Sequence, residues 1–120
     1  MRLYVKMSIV LWSWLVACYN AGVLRHEVIF KLKRDCDDRE VDERLAKARS
    51  VAARIPVVRA TAAGRSAGRD YRVAVLAMTV DDEVALFRLQ IHHLHATIVG
   101  LLQELAEDIS VSDTQVGDGA

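Results

Sequence analysis

The stretch Tyr71 to Val80, YRVAVLAMTV, constrains the fold more than any other part of the chain. It has the length and β-branched content of a strand, and it is apolar on both faces. A strand of that kind must be covered from two sides. A layer of helices can cover one side. The other needs a second cover, and a chain of 120 residues holds one domain. An identical sheet from a second copy would supply it, which predicts a two-fold dimer.

The elements around this strand follow from period and punctuation. Arg25 to Lys33 alternates, with His26, Val28, Phe30 and Leu32 on one side, so it reads as a half-buried strand. Asp37 and Glu40 have the spacing of a helix N-cap with a capping box. Val41, Leu45, Ala48, Ala52 and Ile55 then recur at helical spacing, giving a helix near 38–54 that Pro56 ends. Glu40/Arg44 and Glu43/Lys47 are spaced as surface ion pairs. The segment from Val57 to Val80 reads as strand, turn, strand, with the turn at Gly64 to Gly68. Asp81 is the expected cap of a second helix. That helix is broken near the histidines and resumes with Ile98, Leu101, Leu102 and Leu105. Ile109 to Val116 is a last strand, and residues 117–120 a disordered tail. The order β-α-β-β-α-β is ferredoxin-like: an α+β fold with a four-stranded antiparallel sheet and helices on one face.

Composition excludes some functions. The net charge is zero and acids interleave with bases, so no concentrated basic footprint for nucleic acid exists. Two cysteines, Cys18 and Cys36, are too few for a disulfide scaffold and have no zinc spacing. Cys36 lies between Asp35 and Asp37, which disfavour a thiolate. AAGRSAG lies between two strands, not before a helix, so it is not a phosphate loop.

Residues 1–22 do not match the body. Met7 to Leu24 carries no charge, after Arg2 and Lys6. The pattern fits a secretory signal, and LVAC at Leu15 to Cys18 fits a lipidation site. A mis-assigned start, with the domain beginning at Val23, explains the same pattern and is the preferred expectation. Residues 23–116 then form a cytoplasmic domain. Export or lipid anchoring through Cys18 is the alternative, and the only route to a membrane.

RHEVIFKLK at the start, RDYRVAVLAMTVDDEVALFRLQIHHLHATIVGLLQELAEDISVSD at the end, and the element order resemble the stress-responsive dimeric A/B-barrel (Dabb) family, largely bacterial in type. The likeness runs from Val23 to Val116. Its specific pieces are His26, the His92-x-x-His95 step and the closing EDISVSD. The usual family step is His-Pro-x-His; here His93 stands in the proline's place. The resemblance implies a homodimeric α+β barrel with a cleft between sheet and helices in each subunit. It also implies no cofactor. One plant member is a polyketide cyclase with a helix His as base, matched by His95, and another pocket His, matched by His26. Its partner Tyr falls at Leu89, which has no hydroxyl.

Three of the four histidines lie in residues 92–95. A metal site needs a third ligand, and no acid lies close by in sequence, so none is expected. His95 suits proton transfer or a structural helix start. His93 is expected to face solvent, about 200° around a helix from His95. The expected cleft is lined by His26, Val28, Phe30, Tyr71, Val73, Leu89, His92 and His95. The leading function is binding of a small apolar molecule. The alternatives are cofactor-free acid–base catalysis by His95 and His26, on a polyketide-like or other enolisable substrate, and a purely structural, stress-stable assembly.

Overall fold

Alternation sets the first strand, β1 (Val23–Leu32). Leu24, His26, Val28, Phe30 and Leu32 are buried, while Arg25 and Lys31 are exposed and Glu27 and Ile29 half-buried. The computed structural model describes residues 23–66 and 72–116. The remaining elements are α1 (Asp38–Ala53), β2 (Ala60–Arg65), β3 (Val73–Val80), α2 (Glu83–Ile91), α3 (His93–Gln103) and β4 (Ala106–Val116). The expected signal or lipidation segment, Cys18 and Tyr71 lie outside the described residues. No helix among the described residues is long and apolar enough to cross a membrane.

The strands form one antiparallel sheet in the order β2-β3-β1-β4. The fold is the ferredoxin-like α+β arrangement that the element order implies. Val28 pairs with Leu76 on one side and Val111 on the other, so three apolar side chains stand in a row beneath the helices. Val41, Leu45 and Ala48 of α1 and Ile98 and Leu102 of α3 close over them. Each fully buried Leu, Ile, Val or Phe contributes about 1.5–3 kcal/mol. Ile55 lies beyond the end of α1 and is still 1% exposed, so the chain stays on the core as it leaves the helix.

Several local expectations shift. Asp37 caps α1 by accepting from the Arg39 amide (3.3 Å), while Glu40 pairs with Arg44 (2.9 Å). Glu43 pairs with Arg39 at 3.1 Å rather than with Lys47. Asp82, not Asp81, caps α2, its Oδ1 accepting from the Ala85 amide at 2.9 Å. Asp81 is drawn instead to Arg59 (3.2 Å). Gly64 sits within β2, opposite Val75, because pairing with β3 continues to Arg65. β2 begins at Ala60 rather than Val57, and β4 three residues before Ile109, because pairing with β1 continues to Ala106.

Side chains from distant elements tie the sheet to α1. Arg65 of β2 bonds Asp42 at 2.7 Å. That bond holds the Asp42 carboxyl below, and the Arg65 guanidinium above, their ordinary ranges. Arg72 donates to the Cys36 carbonyl (2.9 Å) and pairs with Asp38.

The opposite sheet face carries Val73, Val75, Ala77 and Thr79 of β3 and Ile29 of β1, all half-buried. α1, α2 and α3 bury apolar residues against the other face, while Val84, Phe87 and Ile91 of α2 stay exposed.

Candidate functional site

His26 lies in the middle of β1, with Met78 beside it on β3 and Asp113 beside it on β4. Its side chain faces the helices and is fully buried. Nδ1 lies 2.5 Å from Asp113 Oδ1, and neither side chain is accessible to solvent. A carboxylate acceptor places the Nδ1 proton on the ring and leaves Nε2 as the second functional nitrogen. Nε2 is buried and has no hydrogen-bond partner among the described residues.

The break in the helical pattern brings His95 to the same place. His92 has extended backbone (φ −69°, ψ 137°) and stands between α2 and α3. Its amide donates to the Leu89 carbonyl at 3.3 Å, ending α2. Its ring Nδ1 accepts from the Leu94 amide at 3.1 Å, starting α3. His92 is therefore a cap, a role usually filled by Ser, Thr, Asp or Asn. His93 is exposed and stacks on His92, with ring centroids 4.5 Å apart. His95, one turn in, points down and is 8% exposed. Its ring centroid lies 5.8 Å from that of His26, with the planes tilted by 50°. The two histidines approach from different elements, on the same side of the sheet.

The other expected cleft residues separate. Val28, Phe30 and Leu89 share this side of the sheet as members of the packed core. Val73 does not. Ala74, Leu76, Met78 and Val80 are the buried parity of β3, so Val73 is on the opposite face. His92 lies on a different concavity, a groove of about 570 Å³ lined by Ile55, Pro56, Val57, Arg88, Ile91, His92 and His93. A second groove, of about 370 Å³, lies between α3 and β4 and is lined by Val99, Gln103 and Ala106 to Ile109. Among the described residues no group of three His, Cys, Asp or Glu side chains is placed to hold a metal ion.

Two acids belong to this region and are absent from the expected set. Asp113 was legible in principle: Ile109, Val111 and Asp113 share one parity of β4, so an acid falls on the buried face. Glu83 opens α2, and its Oε1 is buried without a hydrogen-bond partner among the described residues. Burial, then the charges of Asp113 and Asp82, push its carboxyl above the ordinary carboxylate range. Nothing in the sequence around Glu83 distinguishes it from a first-turn acid on an exposed helix.

Comparison with known proteins shows the family and the fold. The family model described as the stress responsive A/B barrel domain matches residues 24–116. No curated protein matches the chain. Similar solved structures include a Dabb family protein with a ferredoxin-like fold from Mesorhizobium loti. It is 26% identical with a TM-score of 0.65, over 82% of this chain and 99% of that one. A dimeric ferredoxin-like protein of unknown function from Thermobifida fusca is 19% identical with a TM-score of 0.67, over 80% and 92% of the two chains. SnoaB, a cofactor-independent oxygenase from Streptomyces nogalater, is 15% identical with a TM-score of 0.67, over 82% and 96%.

Proposed function

Since the chain belongs to the stress responsive A/B barrel domain family, we propose that it works as a homodimer that binds a small, mainly apolar carbonyl compound between its sheet and helices and moves a proton on it without a cofactor. The observation that carries this is the buried His26–Asp113 pair with the His95 ring 5.8 Å away. Buried ionisable groups are costly to place in a core, and they concentrate at functional sites. In this reading Asp113 orients His26, and His95 is the base. A nitrogen of His95 takes the proton from the carbon next to the carbonyl. The electron pair of that C–H bond stays on the substrate as an enolate, and the proton returns at another carbon or at oxygen. Val28, Phe30 and Leu89 form the apolar wall. Dimeric relatives such as the Thermobifida fusca protein support the assembly. The cofactor-independent oxygenase supports chemistry without a cofactor on this fold.

A second reading is favoured by the closure of the core over His26, which is 0% exposed. There the histidines and Asp113 are a structural polar network in a stress-stable assembly. One experiment separates the two: proton NMR of phenylacetone in deuterium oxide with catalytic amounts of protein. The catalytic reading expects exchange of the α-protons above the buffer rate. It expects His95→Ala to abolish that exchange with little change in Tm, and His93→Ala to do neither. No exchange by the wild type, together with a lower Tm for His95→Ala, would establish the structural reading instead.

A further inference from the structure

Glu83 is a half-buried acid with an enclosed Oε1 that the reading above leaves unused. Asp82 caps α2 through its own side chain, so Glu83 is not needed for that task. Val80, the last residue of β3, pairs with Leu24, and Leu24 with Gln115. The chain thus enters α2 over the end of the sheet where Asp113 faces the helices. Glu83 is close enough there to feel the charge of Asp113. Among the described residues, His26 Nε2 and Glu83 Oε1 are buried polar atoms without a hydrogen-bond partner. Buried polar atoms in native proteins are nearly always paired, with protein, water or ligand. Two carboxyls near one another in a partly desolvated site do not both ionise readily.

We infer that Glu83 is a second proton-carrying group of the site, whose neutral carboxyl donates a hydrogen bond to the carbonyl oxygen of the bound molecule. The inference rests on the catalytic reading for its ligand. The roles then divide: His95 takes a proton from carbon, while Glu83 stabilises the oxygen on which negative charge develops. The titratable groups that act on Glu83 are Asp82 on its own turn and Asp113 from β4, the acid that bonds His26. Both raise its affinity for a proton.

The test uses the full chain and two probes, phenylacetone and propylbenzene, which differ in the carbonyl oxygen. Glu83→Ala is expected to weaken phenylacetone binding by about tenfold, the worth of one hydrogen bond, and to leave propylbenzene binding unchanged. Glu83→Gln keeps a donor and should retain most of the affinity. Carbon-13 NMR of the Glu83 carboxyl should show a midpoint above the usual glutamate range, and Asp113→Asn should bring it down. A Glu83 that titrates in the ordinary range overturns the inference, whatever the probes do. So does an equal loss of both probes in Glu83→Ala. If instead His95→Ala exchanges phenylacetone as the wild type does, the catalytic reading fails, and the carboxyl titration still decides the state of Glu83.

Discussion

At the scale of single residues, the core holds a bond that an all-apolar core would not need. His26 and Asp113 have fully buried side chains, and Nδ1 of the one meets Oδ1 of the other at 2.5 Å. Removing one member of such a pair leaves the other without compensation, which costs more than the pair contributes. Asp113→Ala should therefore lower stability by about 3 kcal/mol, read from urea unfolding. Replacing both residues, His26→Phe with Asp113→Val, should recover much of that loss; a double variant as unstable as the single one would contradict the argument. Glu83 has the opposite signature. Its folded-state proton affinity is raised, so the folded chain holds a proton that the unfolded chain releases more easily. Its contribution to stability is fully present below the ordinary glutamate value of 4.5 and is lost as pH rises through the higher folded value. Thermal melts from acid to neutral pH should show that decline in the wild type and a flatter profile in Glu83→Gln. Parallel profiles would contradict the assignment.

At the scale of elements, the histidine run resolves into three different jobs. His92 is a two-sided cap, His93 a solvent-facing first helical residue and His95 an inward side chain. The first position of a helix has no intrahelical partner for its amide, so proline is welcome there. The extended backbone of His92 is also what a following proline requires. His93→Pro should then stabilise the chain by about 0.5–1 kcal/mol through the unfolded state. A drop in Tm would mean that the His92–His93 stack does more than cover a cap. This geometry also explains how His93 can occupy a position where the family usually carries proline. The turn is held by three hydrogen bonds of His92, through its amide, its ring and its carbonyl, not by a ring constraint at the next residue.

At the scale of the whole molecule, the unresolved demand is the outer face of the sheet. Val73, Val75, Ala77 and Ile29 are half-buried in one chain, and the described helices pack on the other side. Apposition of two such faces by a two-fold axis would bury them. Val75→Glu should yield a folded monomer, because the glutamate has solvent to reach when the partner is gone. Light scattering should show a dimer for the wild type at micromolar concentration. A wild-type monomer would remove the dimer.

Element order, the parity of β1 and the break near the histidines were legible in the sequence, because each is set by residues a few positions apart; β3 is apolar on both faces, which hid its parity and put Val73 in the expected cleft. Periods of two and of about 3.6 report which side of an element is apolar, and caps and prolines report its ends. The same logic places His26 inward and would have placed Asp113 inward. It could not bring them together. They are 87 positions apart, and their bond exists because β4 pairs with β1 in one register; a slip by a single residue would turn Asp113 to the other face. Nor could local sequence show that Glu83 is desolvated, since its first-turn position is where acids ordinarily sit in water. Packing of α2 over the end of the sheet decides that. Local periodicity determined the fold; the charge and partners of the site were decided only where distant strands and helices meet.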